Sequence, residues 1–267
     1  MSFPGHHFLR NLVERPALVA QLVRRDFEQR YVGSAAGWLW GVVEPLVQLG
    51  LWWYVFEVCL GTTLPADAPT QNYALFLMAG YLPWMLFRDT VTRSASSLVD
   101  HANLITRTIF PSEVVAVSIF LSSLLHHLIG ILLIIGLALY NGELSGMVLL
   151  LPVYMVFVGL LGVGIGWVAS SLHVYLRDTG QVLNVVMMVW MWMTPIMISA
   201  DRVPENFRFL LTWNPMSFVV DAYRQRLLTP GWPDAMQSAQ IAGWSIAVFL
   251  AGGLFFRHLK RGFADVL

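Results

Sequence analysis

The chain has 267 residues, of which 57% are hydrophobic and only 12% are charged, and its mean hydropathy is +0.64. About a quarter of the residues of a soluble globular protein are charged, so this composition excludes an ordinary soluble domain and predicts an integral membrane protein. The 16 basic and 16 acidic residues cancel, which argues against a nucleic-acid partner. The single cysteine, Cys59, excludes an internal disulfide framework and a cysteine-based zinc site.

The N-terminal region, 1–34, is charged throughout its first 30 residues and has no continuous apolar core, so no cleavable signal peptide is expected. Pro16 suits the first position of a helix, and apolar residues such as Leu18 and Leu22 follow it at helical spacing. Polar residues such as Arg24 and Arg25 occupy the opposite side. We expect an amphipathic helix on the cytoplasmic face of the membrane; the alternative is a simple basic anchor.

Six stretches are apolar and long enough to cross the ~30 Å of hydrocarbon in a bilayer. They show no period of two, so helices are predicted rather than a barrel. Charged residues, Arg88, Asp89 and Arg93, interrupt the second stretch. The predicted fold is an all-α membrane protein with a single domain, 1–267, whose six transmembrane helices lie at 35–60, 73–99, 114–140, 147–172, 182–200 and 241–256.

Polar residues share one face of the first predicted span. Glu44 and Gln48 are four residues apart, and Gly37 and Gly41 continue the same face. A carboxylate within a membrane span faces protein or a water-filled cavity, so this face is expected to point inward. It suits the wall of a conduit or a hydrogen bond that joins two helices, and the sequence leaves both open.

Basic residues are unevenly distributed between the loops. Only four of the 16 fall on one side: Arg202, Arg208, Arg224 and Arg226. We therefore expect both termini to be cytoplasmic, with these four as an exception. The segment 201–235 that holds them has four prolines between short apolar pieces, which predicts re-entrant or interfacial helices on the outer side.

Small and aromatic residues mark the remaining spans. Gly162, Gly166 and Ser170 recur every fourth residue, which predicts close helix packing. His126 and His127 diverge by about 100° on a helix, so at most one can face a given site; buried, hydrogen-bonded histidines are favoured over a metal or proton site, and no metal site is predicted. The eleven tryptophans suit either stacking on sugar rings or anchoring at the membrane interface.

No phosphate-binding loop is present, because its lysine must precede a serine or threonine and the only lysine, Lys260, precedes Arg261. Uphill transport would therefore draw on a partner or on an ion gradient.

Short motifs recur along nearly the whole chain. Around the first span they are Arg25-Asp26, Arg30-Tyr31, Gly37-Trp38-Leu39-Trp40 and Glu44-Pro45-Leu46. Later ones are Asn103-Leu104-Ile105, Phe110-Pro111, Arg177-Asp178, Thr194-Pro195-Ile196 and Trp213-Asn214-Pro215-Met216. In this order and spacing they resemble the motifs of the transmembrane subunits of bacterial polysaccharide ABC exporters.

The resemblance implies a homodimer of six-helix subunits with two ATP-hydrolysing subunits, which bind ATP and Mg while this chain binds no cofactor. It implies a gate helix at 18–30, a coupling helix at 101–109 within the loop 100–112, and outer re-entrant helices at 201–235. Asp100 is also a plausible N-cap of the coupling helix. The residues expected to contact the ATPase are Asp100, His101, Asn103, Leu104, Ile105 and Arg107.

The implied function is export of a lipid-linked polysaccharide, O-antigen first, through the bacterial inner membrane. Arginine suits bidentate phosphate contact, so Arg24, Arg25 and Arg30 are expected to meet the lipid phosphate. The expected conduit lining is Trp38, Trp40, Glu44, Gln48, Trp84, Phe87 and Trp192. The alternatives are a similar ABC exporter of drugs or small lipids, a membrane-embedded transferase for polyprenyl-linked sugars, and an ion-coupled carrier.

Overall fold

The computed structural model describes residues 16–30, 33–34, 37–103 and 111–266, and within them it contains helices and no strand. The all-α prediction is therefore confirmed. Trp40–Trp53 is preceded by a 3-10 turn, Gly37–Leu39, and extended by a π-helical turn, Tyr54–Cys59. The α-helices are α1 Pro16–Gln29, α2 Trp40–Trp53, α3 Tyr73–Asp100, α4 Glu113–Tyr140, α5 Leu151–Tyr175, α6 Thr179–Trp192, α7 Arg208–Thr212, α8 Pro215–Leu228, α9 Ala235–Leu259 and α10 Phe263–Val266.

In the part of the chain that the structure describes, four helical stretches are long and apolar enough to cross a membrane: Trp40–Cys59, Glu113–Tyr140, Gly146–Tyr175 and Ala235–Gly262. They overlap the first, third, fourth and sixth predicted spans, and most of their ends lie within a few residues of the predicted ends. The chain is therefore a membrane protein.

The fifth predicted span, 182–200, is wrong in its bounds. The helix there is α6, which begins at Thr179 and ends at Trp192. Pro195 explains the early end, since proline disfavours helical backbone in the residue before it and cannot donate a backbone hydrogen bond.

Helix α3 lies at the centre of the bundle and contacts α4, α5 and α8. Its contact with α5 depends on the predicted small residues: a Cβ on Gly166 would lie 2.8 Å from Ser94 Cβ, and one on Gly162 would lie 3.1 Å from Thr90 Cγ2. Close helix packing at these two glycines is therefore confirmed.

Helices α2 and α6 expose most of their apolar side chains to the surroundings. Leu49 is the buried side chain among those described on α2, and Met187 is the buried one on α6. On α3, by contrast, most side chains are buried. Two apolar helix faces therefore remain available to lipid or to another protein.

The segment after α6 returns into the bundle. Helix α8 packs against α3, and most of its side chains are buried. Among these is Arg224, which is 4% exposed. Its guanidinium donates to the backbone oxygens of Pro195 at 2.6 Å, Ile196 at 2.6 Å and Phe76 at 3.1 Å.

Candidate functional site

A charge cluster, defined as Asp26, Arg30, Asp89, Arg93 and Ser123, joins α1 to the middle of the bundle. Arg93 Nη2 lies 2.5 Å from Asp26 Oδ1, and Arg30 forms an ion pair with Asp89. Asp89 also accepts a hydrogen bond from the Ser123 hydroxyl at 2.5 Å and lies 3.7 Å from Arg93 Nη1. The four charged side chains are 21–29% exposed, so solvent screens them only in part. The cluster fastens α1 to α3 and α4.

The three arginines predicted to meet a phosphate differ in their surroundings. Arg30 is already neutralised by Asp89. Arg24 donates to Glu28 at 2.8 Å on the exposed side of α1, and this hydrogen bond raises the pKa of Arg24. Arg25 is exposed. Arg24 and Arg25 are thus both exposed, and Arg25 is the one of the three that forms no ion pair or hydrogen bond with a described residue.

A cavity of about 540 Å³ lies beside the charge cluster, between the end of α1 and helices α2, α3 and α4. It brings together three residues predicted from the sequence: Arg30, Trp40 and Gln48. The sequence analysis did not assign Arg88 or Tyr81 to a site, yet both line the cavity. The interruption of the second apolar stretch by charge was the signal that could have drawn attention to Arg88, because such residues mark functional or paired positions.

Other predicted conduit residues lie elsewhere. Trp84 and Phe87 are fully buried within the chain, where their rings pack against Trp190 with centroids 6.4 and 5.2 Å away. A path over the surface of this subunit cannot touch them in this conformation, so they pack the core. Trp192 on α6 is 63% exposed. The side chains of Trp38 and Glu44 lie outside the described residues.

The predicted coupling loop is described only at its beginning. Residues 104–110, with Leu104, Ile105 and Arg107, lie outside the described residues. Asp100 is the last residue of α3, and its carboxylate accepts a hydrogen bond from Ser96 at 2.8 Å. Helix α3 thus ends one residue beyond the predicted span, 73–99. The coupling helix lies mostly outside the described residues, so the N-cap role of Asp100 stays a prediction. His101 and Asn103 follow directly after α3.

Two motifs that are distant in sequence meet at Asn214. Its side-chain oxygen caps α8 at Met216 N and accepts from Trp190 Nε1 at 2.8 Å. Its amide nitrogen donates to Thr194 Oγ1 at 2.9 Å. Thr194 and Asn214 belong to the last two motifs of the sequence analysis, so both motifs build one junction between α6 and α8.

The adjacent histidines are buried and hydrogen-bonded, as favoured from the sequence. His127 Nε2 lies 3.3 Å from the Tyr223 hydroxyl, and His126 Nδ1 lies 3.3 Å from the Ser122 backbone oxygen. The His126 ring also packs at a tilt against Phe27 of α1, with ring centroids 5.0 Å apart, so it helps to hold α1 in place.

The fold is a bundle of membrane helices with an amphipathic helix attached to one side. Residues 17–228 match the family described as ABC-2 type transporter, and the chain therefore belongs to that family.

Curated relatives match over almost the whole chain. An O-antigen export system permease protein RfbA of Klebsiella pneumoniae is 26% identical over 253 residues, covering 94% of this chain and 95% of the relative. The protein of the same name from Myxococcus xanthus is 24% identical over 261 residues, with 96% and 98% covered. The polysialic acid transport protein KpsM of Escherichia coli is 23% identical over 221 residues, with 80% and 82% covered. The resemblance to permeases of polysaccharide ABC exporters is thus confirmed.

Proposed function

We propose that this chain is the membrane subunit of an ATP-driven exporter that moves a lipid-linked polysaccharide, with O-antigen as the first candidate, across the bacterial inner membrane. The observation that carries the proposal is the end-to-end similarity to O-antigen export permeases. Capsule polysaccharide is the second candidate polymer, since a polysialic acid transport protein is also similar.

The working unit in this proposal is a homodimer with two ATPase subunits that bind ATP and Mg. Each subunit crosses the membrane six times, with α3 and α6 added to the four long apolar helices, and both termini are cytoplasmic. Helices α7 and α8 form the outer re-entrant segment. The polymer passes between the two subunits, and this chain carries out no chemical reaction.

In the proposed mechanism, movement starts in the ATPase subunits. The loop 100–112 contacts them and moves first, and α3 moves with it because this loop follows α3 directly in sequence. Helix α1 is the gate, and the charge cluster couples it to α3. Coupling of this kind needs an element with two arrangements whose populations a ligand can change. In this proposal that element is α1, which the ion pairs of the charge cluster hold in one of its arrangements.

Deletion of the gene in its native host tests the proposed function. We expect the surface polymer to disappear and polymer to accumulate inside the cells, measured by gel analysis of surface and cytoplasmic fractions, with both effects reversed by the wild-type gene on a plasmid. Normal surface polymer in the deletion strain would reject polysaccharide export and favour a drug or small-lipid exporter. Co-purification from native membranes tests the partner: an ATP-hydrolysing subunit is expected in the complex.

A further inference from the structure

We propose that the cavity beside the charge cluster binds the phosphate or pyrophosphate end of a lipid-linked substrate, with Arg88 as the residue that contacts the anion. This inference rests on the proposed function, and it assigns the anion to a residue outside the gate helix.

The first support is the charge balance. Among the described side chains of this region, three arginines (Arg30, Arg88 and Arg93) face two aspartates (Asp26 and Asp89). The ion pairs of the charge cluster use both aspartates. The guanidinium of Arg88 forms no ion pair or hydrogen bond with a residue in the described part of the chain. Among the described side chains, one positive charge therefore faces the cavity without a partner.

The second support is the position of Arg88 along α3. In the proposed six-span arrangement, ~30 Å of hydrocarbon that begins at Tyr73 ends near Arg93, and Arg88 lies about 22 Å along α3 from Tyr73 at 1.5 Å per residue. The side chain of Arg88 is exposed on the bundle, and an arginine within the hydrocarbon is costly unless it reaches water or an anion. Its long side chain can extend toward the membrane surface, which is where the phosphate of a lipid carrier lies.

The third support is the gradient of polarity within the cavity. Along α3 its lining runs from Met78 and Leu82, through Met85, to Arg88 and Thr92. These residues recur at helical spacing and so form one continuous strip. Apart from the Tyr81 hydroxyl, the strip is apolar toward the membrane interior, and it is polar toward the charge cluster. An amphiphile with an anionic end and an apolar tail matches this arrangement better than a free sugar or a free anion.

Binding to the full-length chain in lipid nanodiscs tests the site, with radiolabelled farnesyl pyrophosphate as the probe. Arg88→Gln is expected to weaken binding about tenfold or more, because a hydrogen bond to a charged group contributes about 1.5–3 kcal/mol. The affinity of Arg88→Lys is expected to lie between those of the wild type and Arg88→Gln, since an ammonium keeps the charge but loses the bidentate geometry. The matched control is Arg257→Gln, an exposed arginine of α9 outside the cavity, which is expected to bind like the wild type.

Competition identifies the ligand class. Farnesol, which lacks the pyrophosphate, is expected not to displace the probe. If farnesol displaces it as effectively as unlabelled farnesyl pyrophosphate does, the anion has no role in binding. Displacement by inorganic pyrophosphate at equal concentration would assign the site to a free anion and overturn its lipid part. Equal affinity of Arg88→Gln and the wild type would overturn the proposal as a whole.

A second measurement on the wild type covers the case in which Arg88→Gln does not fold. A photoreactive analogue of farnesyl pyrophosphate is expected to label peptides that contain residues 78–92, and labelling confined to other regions would contradict the site. The deletion experiment tests the proposed function independently. If the chain is required for polymer export but Arg88→Gln binds the probe as tightly as the wild type, this inference is rejected and the proposed function stands.

Discussion

At the scale of single residues, Arg224 shows how a charge can serve the fold rather than the function. Its guanidinium stacks on the Phe76 ring, 3.5 Å from the centroid, and donates to three backbone oxygens. Two of these oxygens follow the C-terminal end of α6, where backbone carbonyls lack helical partners and favour a cation. Arg226 is also buried and donates to Gly231 O at 3.1 Å. Two of the four basic residues that opposed the expected orientation are therefore buried and hydrogen-bonded to backbone oxygens, which weakens their value as a topological signal.

Arg224→Met tests this role. The methionine has a similar length but no donor, so the oxygens of Phe76, Pro195 and Ile196 lose their partner. Since an unsatisfied buried polar group costs about 1–3 kcal/mol, we expect the variant to lose at least ~3 kcal/mol of stability, measured by thermal unfolding in detergent. Arg208→Gln is the control: its side chain is 53% exposed and 3.9 Å from Glu205, and such pairs contribute at most about 1 kcal/mol. Equal destabilisation by both changes would contradict the role of Arg224.

Only part of the candidate site was predictable at this scale. Arg30, Trp40 and Gln48 were singled out by residue type and spacing, and all three line the cavity. The ion pairs were not predicted, because Arg30 and Asp89 are 59 residues apart and Arg93 and Asp26 are 67 apart. Pairing over such distances depends on which helices become neighbours.

At the scale of elements, the charge cluster makes α1 a separately attached part of the molecule. Leu22 is the fully buried side chain of α1, so apolar burial alone holds the helix weakly. The ion pairs to Asp89 and Arg93 supply the specific attachment. A helix held by a few partly buried ion pairs can be released by a modest change of free energy, as a gate requires.

Asp89→Asn is expected to loosen α1, because it removes the negative charge that pairs with Arg30 and leaves a single side-chain oxygen to accept from Arg30 and Ser123. Limited trypsin digestion measures this, with cleavage after Arg30 followed by mass spectrometry. A loss of about 1.5–3 kcal/mol predicts roughly tenfold or faster cleavage. Glu28→Gln removes the exposed pair with Arg24 and is expected to change the rate little. Unchanged cleavage in Asp89→Asn would show that other contacts hold α1.

The contact between α5 and α9 depends on glycine. A Cβ on Gly252 would lie 2.1 Å from the Gly164 backbone oxygen, whereas nothing lies within 4 Å of a Cβ on Gly243. The clash is with backbone, so a side-chain rotation cannot relieve it. Both glycines lie in α9, which makes them a matched pair.

Gly252→Ala is therefore expected to destabilise the protein by about 1–3 kcal/mol through overpacking. Gly243→Ala is expected to be neutral or stabilising by up to ~1 kcal/mol, because alanine favours the helix. Thermal unfolding of the two variants measures the difference. Equal effects would mean that α5 and α9 are not in backbone contact in the membrane.

At the scale of the whole molecule, α6 is too short to face lipid on all sides. Its 14 residues extend about 21 Å, less than the ~30 Å of hydrocarbon. The backbone groups at its ends need cover from protein. An apolar groove of about 580 Å³, lined by α6 residues such as Val185 and Val189 and by Phe209 and Trp213, runs beside it. A second copy of the chain would cover these surfaces in the proposed homodimer.

Cysteine crosslinking tests this interface, because Cys59 is the only native cysteine and can be replaced by serine. Val185→Cys in the Cys59→Ser background is expected to form a disulfide-linked dimer in native membranes on oxidation. Leu132→Cys is the control on α4, with 68% exposure against 57% for Val185, and is expected to stay monomeric. Dimers in the control alone would place the interface on α4 instead.

Sequence reasoning alone was enough for the all-helical membrane class, the helix that follows Pro16, the close packing at Gly162 and Gly166, and the transporter family. These features depend on composition, on local spacing and on short motifs, which need no knowledge of neighbouring helices. The burial of Trp84 and Phe87, the partners of Arg30 and Arg224, and the early end of α6 became known from the packing of the folded chain. Helices such as α4 are apolar on every side, so no polar stripe marks which face turns inward, and packing between distant segments makes that choice.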